Sequence, residues 1–338
     1  LNKSDTLNKS KWVSICLCIL ALSLTGYGQE VTVIDYTGQY VTVTLPVESI
    51  VSLSSSGSEI VCALNAGDKI VGRGSSSVFP PYLEKVEIVG KSSRSPDLEL
   101  IVELDPDLVI ADTMLREDDR KNLENAGIPV LEESFVDPPR VVEVARHLGT
   151  LLDEEEQAEE LIDFLAGAQN LIEENIANLD PDEKPKVFLE REWVYHTTSA
   201  GTSSHNLVVF TGGKNIASEE EIDYPTVSPE WVVGSNPDVI VKLTWATTGE
   251  LSTKEELKEV RDEIVSRPEL ANVDAVKDGK VYVLNSKANS GVRSIIGELY
   301  LAKWFHPQLF EEVNPKEVHG DLIQRFYGLD LEGAYAYP

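Results

Sequence analysis

The feature that most constrains this chain is a supersecondary unit written twice. Residues 97–110 read DLELIVELDPDLVI and residues 228–241 read SPEWVVGSNPDVIV. Each copy holds an N-cap residue, a short helix, a turn around Pro-Asp and an apolar strand. Aligning Pro106 with Pro237 sets an offset of 131 residues. At that offset Asp97 meets Ser228, Asp105 meets Asn236 and Glu99 meets Glu230. Asp and Ser are both good N-caps. A chain that repeats such a unit at this distance is expected to consist of two related α/β lobes.

The surrounding pattern agrees. VTVIDYTGQYVTVTL (31–45) alternates like two strands that turn at Thr37-Gly38. SIVSLS (49–54) is a buried-type strand running into SSGSEIVCALNAG, where Ser56 and Glu59 match a capping box and Gly67 a helix stop. Strands alternating with helices imply a mainly parallel sheet covered on both faces. Between the copies, DEEEQAEELIDFLAGAQNLIEENIANL (153–179) keeps Ala158, Leu161, Ile162, Leu165, Ala168, Ile172, Ile176 and Leu179 on one helical face. Acids at its start complement the macrodipole, and its length would reach about 40 Å. The expected architecture is α/β: two Rossmann-like lobes with mainly parallel sheets, joined by one long α-helix, with a ligand cleft between them. The N-terminal lobe covers 29–137, a helical linker 138–180 contains the interlobe helix 153–179, and the C-terminal lobe covers 181–338.

Residues 1–28 stand apart. Lys3, Lys9 and Lys11 precede an apolar run from Trp12 to Leu24 and then small and turn residues. That order predicts a secretory signal or, if uncleaved, an anchor, hence an extracytoplasmic protein. The run falls short of the roughly 20 residues of an ordinary spanning helix. Cys16 and Cys18 follow Ile15 and Leu17 rather than small residues, so no lipidated cysteine is expected. Beyond this segment only Cys62 remains, which excludes an internal disulfide and leaves stability to two cores. Removing the segment's net +2 takes the formal charge from −29 to −31. A nucleic-acid partner is excluded on that ground, because phosphates demand clustered Lys and Arg. An anionic ligand would need local arginines.

A single glutamate at a helix start contributes about 0.3–1 kcal/mol through the macrodipole and needs no other role. The matched pair Glu99 and Glu230 suggests more. Helix N-termini in open α/β sheets lie beside the carboxyl ends of the strands, where the ligand crevice forms. Two equivalent carboxylates would then sit on the rims of two facing lobes, suited to gripping a partner at two points.

Five segments in order, SIVSLSSSGSEIVCALNAGDKIVGRGSSSVFPP, DLELIVELDPDLVIAD, AGTSSHNLVVFTGGKNIA, SPEWVVGSNPDVIV and GVRSIIGELYLAKWFHP, carry a resemblance. The chain resembles the class III substrate-binding proteins of ABC importers, the group that binds cobalamin, ferric siderophores and haem. The resemblance spans nearly all of the chain after residue 28. It implies two lobes bridged by one stiff helix, small cleft closure, no resident cofactor and no catalysis. In the cobalamin-binding members one glutamate per lobe docks onto permease arginines, and those motif positions fall on Glu99 and Glu230. Membrane contact is then expected only through the permease or an uncleaved N-terminal anchor.

By motif position the resemblance also puts the loop Ser54, Ser55 and Ser56 and the segment RGSSSVF, with Arg73, in the cleft. Arg73 reads equally well as a solvated surface residue. Arg293, in NSGVRS, falls where the family commonly sets an arginine against the ligand. From the second lobe Trp193, Tyr195, His196 and Trp245 are expected to face it. Their rings suit the flat apolar face of a chelate or macrocycle, although core packing is a rival for each. His196 and His205 raise direct metal coordination, but bare-metal sites recruit further ligands in fixed geometry. A molybdate- or tungstate-type oxyanion, held by Arg293 and helix N-termini, is the alternative ligand.

Catalytic patterns are missing from the sequence. There is no G-x-S-x-G, H-E-x-x-H or G-x-x-x-x-G-K-[ST]. Ser203, Ser204 and His205 are adjacent, but adjacency does not make a triad. The expected function is capture of a metal chelate outside the cytoplasm and its delivery to an ABC permease.

Overall fold

The computed structural model describes residues 28–136, 138–244 and 252–338. The expected signal or anchor, apart from Gly28, and Trp245 lie outside the described residues. No helix among the described residues is long and apolar enough to cross a membrane.

The chain opens with an antiparallel hairpin, β1 (Glu30–Ile34) and β2 (Tyr40–Thr44). Then come β3 (Ile50–Ser52), α1 (Ser55–Ala63), β4 (Ile70–Arg73), β5 (Glu87–Ile88), α2 (Leu98–Leu104), β6 (Leu108–Asp112), α3 (Glu117–Asn125) and β7 (Val130–Glu133). Two helices follow, α4 (Pro138–Leu152) and α5 (Glu155–Ile176). The second series is β8 (Lys186–Glu190), α6 (Ser203–Phe210), β9 (Lys214–Asn215), α7 (Pro229–Ser235), β10 (Val239–Thr244) and α8 (Lys254–Val265). It ends with α9 (Asp274–Lys277), β11 (Val281–Asn285), α10 (Ser294–Phe305), α11 (Pro315–Tyr327) and β12 (Ala336–Tyr337). The first lobe's sheet is wholly parallel, in the order β5-β4-β3-β6-β7. The second is β12-β11-β10-β8-β9, parallel except for β12.

The repeated unit recurs bond for bond. Asp97 Oδ1 accepts from Leu100 N and Ser228 Oγ from Trp231 N, each at 3.2 Å. Ile101 and Val232 are fully buried beneath the two helices. Asp105 and Asn236 both take left-handed backbone (φ 46° and 43°), which Asp and Asn tolerate better than most residues. Asp107 Oδ2 then accepts from Ser49 N at 2.9 Å, and Asp238 Oδ2 from Lys186 N at 2.7 Å. Each bond ties the turn to the start of a neighbouring strand, β3 or β8.

The linker differs from the expectation of one helix over 153–179. Asp153, at φ 61°, ends α4, and the chain doubles back so that α4 packs against α5. The bridging helix is therefore 22 residues, about 33 Å. Gln157 Nε2 donates to Ala63 O near its start, and Phe164 packs edge-on to Phe326 of α11 farther along. The predicted apolar face is the buried one.

The core is also arranged differently from two separate interiors. One cluster runs through both lobes by way of α4, α5, α10 and α11, including Ile60, Leu161, Val187 and Leu299. Only the outer sheet faces keep private clusters, around Leu123 in the first lobe and Phe188 in the second. A core shared in this way resists relative motion of the lobes.

His319 of α11 is 1 % exposed, its ring edge-on to Tyr335. Burial, with Arg293 adding to it, holds its pKa down to about 3. The unfolded chain, near 6.5, takes up the proton first. The His319 contribution to stability is thus full above pH 6.5 and is lost as pH drops toward 3, by up to about 1.4 kcal/mol per pH unit. In urea unfolding between pH 6.5 and 5, His319→Phe should flatten this slope; an unchanged slope would contradict the assignment.

Candidate functional site

All parallel strands of a lobe end on the same edge of its sheet, so the loops after them gather there. The two edges face each other. Gly291, in the loop after β11, donates its N–H to Phe135 O after β7 at 2.8 Å. It has φ 56°, and a Cβ there would come within 3.0 Å of Ser56 Cβ in α1. A side chain at 291 would therefore be strained in its backbone and would crowd the opposite lobe.

Beside this contact lies the buried pair that joins the lobes. Arg293 Nε donates to Glu59 Oε2 at 2.9 Å, and Nη2 donates to Oε1, a bidentate arrangement. Both residues are buried, and Tyr327 Oη donates to Glu59 O at 3.1 Å. The guanidinium also stands 4.9 Å from the centre of the Phe79 ring. Burial alone would lower the Arg293 pKa, but the Glu59 carboxylate overrides it and the net direction is upward. We take the pair as ionised, because the guanidinium keeps its proton and a neutral Glu59 would leave it buried without a counter-charge.

Glu59 thus does not serve the capping box that its spacing with Ser56 suggests. The N-cap of α1 is Ser54, whose hydroxyl accepts from Gly57 N at 3.4 Å. Ser54 and Ser56 are buried, leaving Ser55 as the half-buried member of the loop. Arg73 is 4 % exposed, with its Nη groups on the carbonyls of Gly74, Ser75 and Glu84 at 3.2–3.3 Å. Its guanidinium points into the first lobe.

After β8 the chain builds a shelf. Trp193 is 69 % exposed and tilts against the His196 ring at 4.8 Å. His196 in turn lies 6.4 Å from Tyr224, over which the Arg191 guanidinium stands at 4.3 Å. Beneath it, fully buried Glu190 accepts from Arg267 at 2.6 and 3.0 Å, from Tyr195 N at 2.9 Å, and pairs with Lys242 Nζ at 3.1 Å. Burial would raise the Glu190 pKa, but Arg267 and Lys242 reverse that and hold it below the usual range. Lys242 also donates to Arg191 O and Glu192 O, so the ion cluster clamps the loop backbone. Tyr195 faces inward: 7 % exposed, φ 57°, its hydroxyl donating to Glu269 at 2.5 Å. Tyr224, Glu190 and Lys242 escaped the sequence reading. The signal for the last two was charge inside apolar strands, VFLE and VIVKLT, which stand in register.

His196 Nδ1 lies 3.2 Å from Glu192 Oε2, and His205 Nδ1 lies 3.2 Å from Asn215 Nδ2. Among the described residues no group of three or more His, Cys, Asp or Glu is arranged to hold a metal. Cys62 is buried, and burial pushes its thiol up to about 12, so it is inert near neutrality. Glu99 and Glu230 are exposed, each in the first turn of a helix that starts from the strand-end side of its sheet.

The interlobe pair makes a prediction about stability. Glu59→Gln should cost about 3–5 kcal/mol, since it strands a buried guanidinium, whereas Glu59→Met with Arg293→Met should come closer to wild type. Denaturant unfolding of the single and double variants checks this; additive losses would mean the two do not act as a pair.

The model of a periplasmic binding protein family matches residues 50–288. An ABC transporter substrate-binding lipoprotein of Bacillus subtilis (strain 168), itself uncharacterized, is 30% identical over 83% of this chain and 87% of its own length. A vitamin B12-binding protein of Yersinia pestis (strain Pestoides F) is 31% identical over 57% of this chain and 69% of its own. Among solved structures, a TroA-like periplasmic binding protein from Veillonella parvula superimposes with TM-score 0.77 at 21% identity, covering 90% of this chain and 99% of that one. The molybdate-bound periplasmic binding protein of Haemophilus influenzae gives 0.74 at 20% identity, covering 89% and 99%. These likenesses, with two facing α/β lobes bridged by a long helix, establish that the chain belongs to the periplasmic binding protein family, the extracytoplasmic substrate-binding components of ABC transporters rather than enzymes.

Proposed function

We propose that this protein captures a metal chelate with a flat apolar face, of the corrinoid, ferric-siderophore or haem kind, and delivers it to an ABC permease. The observation that carries the reading is the shelf. A tryptophan 69 % exposed is costly to leave in water, and here it is braced by His196 on a loop locked from below. Trp193, His196 and Tyr224 offer ring faces, with the Arg191 guanidinium, itself paired with Glu192, stacked over Tyr224 at their edge. Support comes also from relatives and fold neighbours whose names include vitamin B12-binding and haem-binding proteins. Ser55 is assigned to the same cleft by its position after β3.

The oxyanion reading is favoured by one observation, the molybdate-bound fold neighbour. It requires a cation free to face the anion. Arg293 is engaged by Glu59 and Arg73 by three carbonyls, which weakens it in this chain.

Glu99 and Glu230 are proposed as the permease contacts. Exposed carboxylates of this kind set register and encounter rate more than affinity. Their identical placement in the two halves supports a two-point dock.

Titrating intrinsic tryptophan fluorescence with cyanocobalamin, haemin and a ferric hydroxamate should give stoichiometric quenching by one of them, without turnover. Trp193→Ala should weaken that binding at least about tenfold, as a buried aromatic contact is worth more than 1.4 kcal/mol. Tight binding of molybdate alone would overturn the chelate reading. In a reconstituted transporter, Glu99→Ala with Glu230→Ala should leave ligand binding intact and impair uptake; normal uptake would remove the docking role.

A further inference from the structure

The duplicated unit repeats its surface as well as its bonds. At the offset of 131 residues, positions 97–110 and 228–241 match in exposure one for one, Asp105 against Asn236 excepted. Three positions beyond each glutamate stands an exposed valine, Val102 at 44 % and Val233 at 38 %. Residues three apart share a helix face. Each helix, α2 and α7, therefore shows solvent a carboxylate with a branched apolar side chain beside it.

A lone exposed valine needs no explanation. Two at equivalent places do, because valine is also a mediocre choice for a helix surface, where its branched Cβ loses rotamer freedom. Neither valine belongs to an apolar cluster of the described residues. Nor does the Glu99 or Glu230 side chain have a hydrogen bond or ion pair among the described residues. Both halves of each patch are unpartnered within the chain.

A separate feature marks α7. Gly234 follows Val233 inside the helix, is exposed, and has no left-handed backbone. A Cβ there would meet nothing within 4 Å. Glycine is a poor helix former, so nothing in the free protein calls for it. A bare backbone beside an exposed valine suits a surface that comes close from outside.

We infer that Val102 and Val233 are the apolar half of each permease contact, and that Gly234 lets the permease lie close against α7. This rests on the docking role proposed above for Glu99 and Glu230. Exposed ion pairs supply register and encounter rate but little affinity. A lasting grip draws on apolar area covered by the partner, with polar contacts around it. The matching surface is a basic side chain beside an apolar pocket, and a permease that engages both helices presents it twice.

The test measures docking of the full, ligand-loaded protein to its permease in lipid nanodiscs, at low and high sodium chloride. Val102→Ser with Val233→Ser should weaken docking at least about tenfold. That loss should persist in high salt, where the share owed to the glutamates is screened. Gly234→Gln, a side chain for which the free protein has room, should weaken docking while the melting temperature stays at or above that of wild type. Melting temperature and ligand titration control for the fold and the cleft. If the valine pair variant docks at full strength while Glu99→Ala with Glu230→Ala does not, this inference falls and the docking role of the glutamates stands. Full-strength docking by both double variants removes that role and the inference with it. Undiminished docking of Gly234→Gln overturns the close approach at α7.

Discussion

The cleft depends on a carboxylate from one lobe meeting a guanidinium from the other. Glu59 and Arg293 are 234 residues apart, and neither lobe alone could bury its member without a prohibitive desolvation cost. Docked together they are ionised, bidentate and covered by Phe79 and Tyr327. The pair therefore works as a specificity device for how the halves meet, more than as a source of net stability. It fixes how the two halves meet, and the core that continues through α4, α5, α10 and α11 supports that geometry from behind.

The same device recurs on the scale of one loop. Glu190, Arg267 and Lys242 form a buried ion cluster whose carboxylate also holds Tyr195 N and whose lysine holds two carbonyls of the shelf. The result is an exposed aromatic surface on a rigid support. Preorganisation of this kind reduces what a ligand must give up in ordering the site, so a modest set of contacts can yield tight binding. The buried charges of the protein thus position its exposed aromatics.

The acidic exterior bears on partners. At a formal charge of −29 the chain repels anions at long range, although salt limits that field to about 8 Å. Anion affinity is consequently a local matter, settled where cations collect without carboxylates beside them. The matched glutamates stand out from the general acidity by position alone, one at the head of the equivalent helix in each half. The repeated unit leaves one exposed carboxylate at the equivalent place in each half.

Much of the fold was legible in the sequence because local chemistry decides it. N-caps, the two left-handed turn residues and the Pro-Asp turns specify short helices and strands wherever they occur, so the offset of 131 residues disclosed the two lobes and the acidic pair. Helical periodicity disclosed the bridging helix, though not the reversal at Asp153, a single backbone change that hydropathy does not register. The site was less legible. Arg293 and Arg73 read as cations available to a ligand, and Glu59 as half of a capping box. The structure gives Arg293 to Glu59 and turns Arg73 inward. Whether a charge faces solvent, a ligand or another charge depends on what the chain brings to it from far away. Sequence by itself determined the elements and their repetition, through interactions spanning a few residues. Only the tertiary structure decided which polar groups are neutralised inside and which rings are left facing outward, because burial and pairing across more than two hundred residues are properties of the assembled fold.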